Sequence, residues 1–257
     1  MANDLDHLVA VVTGAARGIG RAIAGELRAR GARLILIDRN ADGVAATAEA
    51  LGGDQAAANW LVADLENPDA IVRLTEQVRS IAPQVDVLVN NAGIEMDLPF
   101  DQITSELFDR VIAVNLRAPL LVAQSLVPLF PGNGGSIVNI SSIHADHAFP
   151  NSIPYACSKA GLVAQTRNLA LELAPRHIRV NAVCPGYIDT PMWDEWIASS
   201  PDPASLASQT AALHPLGRRG VPRDVASATA FLASPNAEWI TGTCLVVDGG
   251  LTVRTHP

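Results

Sequence analysis

The sequence alternates short apolar runs with segments of helical periodicity almost from end to end. The runs are rich in Val, Ile and Leu and do not alternate with polar residues, which is typical of parallel strands covered on both faces. They predict strands over residues 8–13, 33–37, 59–63, 85–90, 136–141, 178–183 and 244–247. Helices are predicted between them, over residues 20–30, 42–51, 68–81, 105–130, 154–173 and 222–233. This alternation predicts an α/β fold, with a doubly wound, parallel, seven-stranded sheet and helices on both faces.

The same pattern runs through residues 1–257 without a repeat, a low-complexity segment or a linker, which predicts a single domain. One stretch, residues 187–215, lacks strong periodicity and contains Trp193 and Trp196. Long irregular segments in compact domains are often functional, so we predict a substrate lid there. The uncharged stretch 118–145 is broken by prolines and glycines well before about 20 apolar residues accumulate, so we expect it to be buried in the fold and not to span a membrane.

Composition excludes several classes of protein. The chain is 49% hydrophobic and 17% charged, which is inconsistent with disorder. Its 26 acidic residues outnumber 18 basic ones without a basic cluster, so nucleic acid and membranes are not expected partners. The three cysteines form no CxxC pair and the N-terminus does not resemble a signal peptide, which together predict a cytoplasmic protein with reduced thiols. No HExxH motif or His/Cys/Asp cluster is visible, so no catalytic metal is expected.

A glycine-rich loop follows the first predicted strand and opens the first predicted helix. Residues 13–20 read TGAARGIG, with glycines at 14, 18 and 20 in the spacing GxxxGxG. Glycines allow a tight turn and a close backbone approach to a pyrophosphate, whose negative charge is favoured by a helix N-terminus. A plain turn would also use glycines, but the position between strand and helix favours a dinucleotide loop.

Acidic and small residues follow the next strands. Asp38 lies eighteen residues past Gly20, where a carboxylate accepts ribose hydroxyls and repels a 2′-phosphate, which favours NAD over NADP. Arg17 and Arg39 argue against this preference, since either side chain could pair with the 2′-phosphate of NADP. Asp64 follows the third strand and could bind the adenine amino group or cap the next helix. The fourth strand ends in NNAG at residues 90–93, whose small residues suit either a flat ligand or a simple turn.

A second group of side chains indicates proton transfer. Tyr155 and Lys159, the chain's single lysine, are spaced i and i+4 on a predicted helix and so share one face. Ser142 follows the fifth strand. A phenol has a pKa of about 10, too high for a base at neutral pH, and a neighbouring ammonium group favours the phenolate. We therefore expect Lys159 to lower the pKa of Tyr155. The spacing YxxxK by itself would also occur on a solvated helix.

These motifs together resemble those of the short-chain dehydrogenase/reductase family, in its branch of about 250 residues. The resemblance rests on TGxxxGxG at residues 13–20, NNAG at 90–93, the triad Ser142, Tyr155 and Lys159, the Pro185–Gly186 pair and VDGG at 247–250. It covers essentially the whole chain. Cys184 departs from the family, in which many members have Asn. The resemblance implies a Rossmann-type single domain and a hydride transfer between an alcohol or carbonyl and a nicotinamide.

The resemblance also implies roles for individual residues. Asn115 becomes the fourth member of a catalytic tetrad with Ser142, Tyr155 and Lys159, binding a water through the helix backbone and linking Lys159 to solvent. Lys159 holds the nicotinamide ribose, and residues 185–190 hold the nicotinamide. The expected NAD-binding residues are Gly14, Arg17, Gly18, Ile19, Gly20, Asp38, Arg39, Asp64, Leu65, Asn91, Ala92, Gly93, Tyr155, Lys159, Pro185, Gly186, Ile188 and Thr190. The family pairs the helices predicted at 105–130 and 154–173 between subunits, so a homotetramer is expected.

The substrate is the least constrained part of the prediction. Candidate substrate residues are Ser142, His144, His147, Tyr187 and Trp193. The segments around them are similar to those of family members that oxidise sugars or polyols, which predicts an NAD-dependent dehydrogenase for a secondary alcohol. An NADPH-dependent carbonyl reductase, such as a 3-oxoacyl-carrier-protein reductase, is the alternative enzyme. A non-catalytic nucleotide-binding scaffold is a further alternative, disfavoured by the complete tetrad.

Overall fold

A computed structural model describes residues 3–52, 57–198 and 200–254. Within them lies a parallel sheet of seven strands in the order β3-β2-β1-β4-β5-β6-β7, which confirms the predicted fold. The strands are β1 (Val9–Thr13), β2 (Arg33–Asp38), β3 (Ala58–Val62), β4 (Val87–Asn90), β5 (Gly135–Ile140), β6 (Ile178–Pro185) and β7 (Cys244–Val247). The strand order reverses between β1 and β4, and ligands bind at such a switch point.

Helices cover the sheet on both faces. The helices are α1 (Gly18–Ala29), α2 (Ala41–Ala50), α3 (Pro68–Ile81), α4 (Ser105–Ile112), α5 (Ala118–Leu126), α6 (Ile153–Leu173), α7 (Pro191–Ala198), α8 (Pro203–Leu213) and α9 (Pro222–Ala233). Alternate residues of β1 enter opposite cores: Ala10 and Val12 pack with α1, α2 and α9, whereas Val9 and Val11 pack with α3, α5 and α6. All five residues of β1 are buried, because both faces of this strand are covered.

The long helix predicted over residues 105–130 is divided. A π-helical segment, Ala113–Arg117, separates α4 from α5 and contains the fully buried Asn115. Pro119 follows in the first turn of α5 and has no N–H to donate to the carbonyl of Asn115, four residues earlier. The regular α-helical hydrogen bonding is therefore interrupted at Asn115, and π-segments of this kind are frequent at functional sites.

The combined helical region Ser105–Leu129 is long and apolar enough to cross a membrane by length and composition. More than half of its most apolar window, 56%, is buried inside the fold. A core helix of a globular protein passes the same test, and this region packs its apolar residues Ala118, Val122 and Leu126 against the sheet. The observation is therefore weak evidence for a membrane span.

The segment 187–215 is more regular than its sequence indicates. It contains α7 and α8, although we expected an irregular lid. Pro203 lies in the first turn of α8, where its missing N–H costs nothing, and the Asp202 carboxylate caps this helix by accepting from Ser205 N. Among their described residues α7 buries only Trp193 and α8 only Thr210, so neither helix has an apolar face that could be recognised in the sequence. Ser199, between them, lies outside the described residues.

Candidate active site

A cavity of about 520 Å³ opens at the carboxyl ends of the strands. Its lining combines the loops that follow β1, β2, β3, β4, β5 and β6 with residues of α6 and α7. All of the predicted NAD-binding residues line it: Gly14, Arg17, Gly18, Ile19, Gly20, Asp38, Arg39, Asp64, Leu65, Asn91, Ala92, Gly93, Tyr155, Lys159, Pro185, Gly186, Ile188 and Thr190. The structure thus brings to one cavity residues that are up to 176 positions apart, from Gly14 to Thr190.

Of the candidate substrate residues, the structure brings four to the cavity and leaves one outside. Ser142, His144, Tyr187 and Trp193 line it. His147 is exposed and lies outside the lining, contrary to the prediction. The 3₁₀ turn that starts after Ser142 ends at Ala145, so the chain has already left the turn before it reaches His147.

The glycine loop is a cradle that admits no side chain at two positions. A Cβ at Gly20 would lie 2.1 Å from the Gly14 carbonyl oxygen, and one at Gly14 would lie 2.8 Å from the Ala92 Cα. Gly14 and Gly18 have positive φ angles of 67° and 57°. The Asn91 side-chain amide donates to the carbonyls of Thr13 and Gly14, each at 3.0 Å, and so joins this loop to NNAG. Because the N-terminus of α1 opens into this cradle, the residues present fit a dinucleotide pyrophosphate.

Acidic side chains lie beside the cradle in fixed positions. The Asp38 carboxylate accepts from Ala16 N at 3.0 Å and from Asn40 N at 2.9 Å. Asp64 accepts from Glu66 N at 3.0 Å and lines the cavity. The α3 cap that was the alternative role for Asp64 is instead Asn67, which accepts from Asp69 N.

The predicted tetrad divides between cavity wall and interior. The side chain of Ser142 hydrogen-bonds Tyr155 and lies 3.0 Å from His144 Nδ1. The Lys159 Nζ lies 5.4 Å from the centroid of the Tyr155 ring and donates to the Ile140 carbonyl at 2.9 Å. Asn115 is fully buried and does not line the cavity. Its amide is instead paired with both backbone groups of Ile94, at 2.9 and 2.8 Å.

The electrostatics of Tyr155 differ from the sequence-based expectation. Burial raises the pKa of Tyr155 above its ordinary value, and the negative charge of Glu95 raises it further, while the hydrogen bond with Ser142 lowers it. Burial also lowers the pKa of Lys159 to about 8. The net direction is upward because burial and Glu95 outweigh the influences that lower the pKa of Tyr155, and the sequence analysis considered neither of them. The contribution of Lys159 to the pKa of Tyr155 stays a prediction.

Glu95 and Asp97 are cavity residues that the sequence analysis missed. Burial raises the pKa of Glu95 to about 7, Asp97 adds to this shift, and Lys159 opposes it. Burial also raises the pKa of Asp97, whose carboxylate hydrogen-bonds Trp196. Both acids follow NNAG beyond the carboxyl end of β4, and that position is the signal that could have identified them. The other residues missed in this part of the lining are Phe149, Pro150, Asn151 and Met192. Trp196, which lies in the predicted lid segment, lines it as well.

A dinucleotide cradle joined to a half-buried tyrosine and a buried lysine defines a nicotinamide-dependent oxidoreductase. A family model described as enoyl-(acyl carrier protein) reductase matches residues 14–252. The 3-oxoacyl-[acyl-carrier-protein] reductase of Thermotoga maritima is 38% identical over 253 residues, 97% of this chain and 99% of that one. The D-threitol dehydrogenase of Mycolicibacterium smegmatis is 35% identical over 255 residues, 97% and 95% of the two chains.

Solved structures agree with these sequence relatives. The ligand-free aldohexose dehydrogenase of Thermoplasma acidophilum superimposes with a TM-score of 0.89 at 35% identity, covering 100% of this chain and 98% of that one. The chain belongs to the short-chain dehydrogenase/reductase family. Its relatives include both sugar dehydrogenases and oxoacyl reductases, so family membership defines the reaction type and not the substrate.

Proposed function

We propose that this protein is an NAD-dependent dehydrogenase that transfers a hydride between a sugar or polyol hydroxyl carbon and the nicotinamide. The observation that carries the proposal is the single cavity that joins the glycine cradle to Ser142, Tyr155 and Lys159. When bound, NAD supplies the hydride acceptor and a positive charge. In oxidation Tyr155 accepts the proton of the substrate hydroxyl, which Ser142 orients, and in reduction it returns that proton.

Lys159 and Asn115 support this proton transfer. Lys159 is a compact point charge fixed by the Ile140 carbonyl, and its pKa of about 8 allows it to release and regain a proton near neutrality. A Cβ at Gly93 would lie 3.6 Å from Lys159 Nζ and 3.4 Å from Asn115 Oδ1, so these two side chains are close neighbours. Since the Asn115 amide is paired with Ile94, its backbone carbonyl is the group left to hold a water toward Lys159.

Three contacts support NAD as the preferred dinucleotide. The Asp38 carboxylate is held by Ala16 N and Asn40 N at the cavity wall, where it would accept ribose hydroxyls and repel a 2′-phosphate. Arg17, one of the two cations that could favour NADP, is paired with Glu195 of α7 at 2.6 Å. Arg39 lines the cavity and is the residue that keeps the NADPH-dependent reductase as a second candidate.

A sugar or polyol substrate is supported by the cavity lining and by two relatives. The lining near Tyr155 combines aromatic rings with His144, Glu95 and Asp97, which suits a small molecule with several hydroxyl groups. The relatives named D-threitol dehydrogenase and aldohexose dehydrogenase act on molecules of this class. We further propose a cytoplasmic location and assembly as a homotetramer.

A substrate panel tests the proposal. NADH or NADPH formation is followed at 340 nm with D-threitol, D-glucose, hydroxy acids and steroids, and the reverse reaction is followed with a 3-oxoacyl thioester. We expect oxidation of a polyol or sugar with NAD, and Asp38→Ala should erode the preference for NAD over NADP. Thioester reduction with NADPH alone would favour the reductase, and the absence of any turnover would favour the non-catalytic scaffold.

A further inference from the structure

The loop that carries Glu95 and Asp97 is anchored at both ends. Ile94 exchanges two hydrogen bonds with the Asn115 side chain, and Leu98 N donates to the Asn151 carbonyl at 2.9 Å. Glu95 and Asp97 are two positions apart on the segment between these anchors, and both line the cavity, whereas Met96 does not. The two carboxylates are therefore held in place toward the cavity.

Aromatic rings line the same cavity as these acids, and one of them, Trp196, hydrogen-bonds Asp97. We call His144, Phe149, Tyr187, Trp193 and Trp196 the aromatic end of the cavity. Their ring centroids form a continuous chain: 4.1 Å from His144 to Phe149, 6.1 Å from Phe149 to Tyr187 and 5.4 Å from Tyr187 to Trp193. The ring of His144 lies 5.2 Å from that of Tyr155, so the aromatic end begins at the proposed proton acceptor.

The two carboxylates keep hydrogen-bonding capacity for a ligand. Asp97 bonds Trp196, but its Oδ1 is buried and has no partner in the part of the chain that the structure describes. Glu95 lines the same cavity, and its charge shifts the pKa values of Tyr155, Lys159 and Tyr187, so it lies near both the proton-transfer groups and the aromatic end. A buried carboxylate oxygen needs a donor, and substrate hydroxyl groups would supply it.

The charges near this end disfavour an anionic substrate. Arg218 is paired with Asp224, and Arg219, whose guanidinium lies 4.9 Å from the centroid of the Trp193 ring, is paired with Asp189 at 2.6 Å. Neither arginine lines the cavity. Burial lowers the pKa of His144 to about 4, so among the described residues that line the cavity near the aromatic end, Lys159 is the cation, against two carboxylates. A carboxylate or phosphate on the substrate would therefore meet like charge in a poorly solvated space.

We propose that Glu95 and Asp97 determine substrate specificity: they accept hydrogen bonds from the hydroxyls of a neutral polyhydroxylated substrate and exclude anionic ones. This inference rests on the proposed function and names the part of the site that selects the substrate class. It assigns to the two acids a role in binding, while proton transfer remains with Tyr155.

Steady-state kinetics with neutral and anionic probes test this role. D-Threitol and D-glucose are the neutral probes, and D-glucuronate, in which a carboxylate replaces the C6 hydroxymethyl group of D-glucose, is the anionic one. Rates with NAD are measured at pH 8.5, above the pKa of about 7 for Glu95. We expect the wild type to favour the better neutral probe over D-glucuronate at least tenfold in kcat/KM. Glu95→Gln and Asp97→Asn should each shrink that ratio at least tenfold.

Two exposed acids outside the cavity provide matched controls. Glu49→Gln and Asp101→Asn remove the same charges elsewhere, and we expect the ratio to stay within about twofold of the wild type. NADH binding, followed by fluorescence, verifies that each cavity variant is folded. If one cavity variant does not bind NADH, the other variant and the wild-type ratio still decide the outcome.

The two proposals fail in different ways. A wild type that oxidises D-glucuronate as well as or better than the neutral probes overturns this inference and leaves the dehydrogenase assignment intact. The same holds if both folded variants keep the wild-type ratio. If no member of the wider panel is oxidised with NAD or NADP, the proposed function falls, and this inference falls with it.

Discussion

Tyr155 is a half-buried phenol whose surroundings favour its neutral form. Burial and the charge of Glu95 both raise its pKa, so its ionisation depends on positive charge at the reaction centre. We expect Tyr155→Phe to lower kcat at least about 1,000-fold, because no other hydroxyl takes over the substrate proton. Affinity for NADH should remain within about twofold, since the cradle is unchanged. Stopped-flow turnover and fluorescence titration measure the two effects.

The chain offers a matched control for that substitution in its second tyrosine. Tyr187 also lines the cavity, but its ring packs among Trp193, Trp196 and Phe149 and not beside Ser142. We expect Tyr187→Phe to lower kcat by less than about tenfold. Full activity of Tyr155→Phe would contradict the assigned proton transfer.

Glu95 makes the stability of the protein depend on pH. Its pKa rises from 4.5 to about 7 on folding, chiefly through burial, so the folded state binds this proton more tightly than the unfolded state. The contribution of protonated Glu95 to the free energy of unfolding is fully present below pH 4.5 and is lost as the pH rises through about 7. The free energy of unfolding of Glu95→Gln, compared with that of the wild type at the same pH, should therefore gain about 2–3 kcal/mol when the pH is raised from 5 to 8.

Urea unfolding at the two pH values measures this gain. Glu49→Gln is the control, because residue 49 is exposed on α2. If the free energies of unfolding of Glu95→Gln and the wild type differ by the same amount at pH 5 and pH 8, then folding does not raise the pKa of Glu95.

The two cavity acids, Glu95 and Asp97, are residues of the site that the sequence did not predict. Tyr155 and Lys159 were predicted because their spacing on a helix is a recognisable pattern. Glu95 and Asp97 lie on an extended loop that is held by hydrogen bonds to Asn115 and Asn151. Asn115 is 20 positions from Glu95 along the chain, and Asn151 is 54 positions from Asp97. No local periodicity records those contacts, so the acids could have been found only by their position after β4.

Among the elements, the turn from β1 into α1 is the one with the least room for change. An added Cβ at Gly20 would lie 2.1 Å from the Gly14 carbonyl oxygen and 2.4 Å from the Asn91 amide nitrogen, so backbone must move. We expect Gly20→Ala to weaken NADH binding at least about 100-fold, which corresponds to roughly 2.7 kcal/mol. Fluorescence titration and thermal unfolding measure binding and stability together.

Gly25, on the same helix, is the control. Its Cβ would meet only the Leu51 side chain, at an ordinary contact distance of 3.7 Å. Gly25→Ala should leave NADH binding unchanged and stabilise the protein by about 0.5–1 kcal/mol, since alanine loses less backbone entropy in a helix. Equal binding by both variants would show that the cradle tolerates a methyl group.

Elements with strong periodicity were predicted well, and those controlled by single residues were not. The central strands are apolar along their whole length because both faces are covered, so the predicted ranges differ from the observed ones by only a few residues. The π-segment depends on Pro119 and the buried Asn115, which a helical pattern does not reveal. Helices α7 and α8 each bury one side chain among the described residues, so they show no clear apolar face.

At the scale of the whole molecule, the sheet is well covered near β1 and poorly covered at its far edge. Strand β1 is buried throughout, whereas the edge strand β7 is only partly buried and leaves Val246 46% exposed. Apolar side chains also face outward on α5 and α6, including Leu120 at 43% and Leu171 at 78% exposure. Uncovered apolar surface on two sides of one chain is consistent with contacts to further copies.

We therefore expect a homotetramer of four 27.0 kDa chains in light scattering coupled to size-exclusion chromatography. Leu171→Glu and Val246→Glu each place a charge on one of these two surfaces, so each should reduce the assembled mass by half or more. Val72→Glu is the control, because Val72 is 71% exposed on α3, which belongs to neither surface. It should leave the mass unchanged. A wild type that elutes as a stable monomer would contradict the assembly and would require another explanation for the exposed apolar residues.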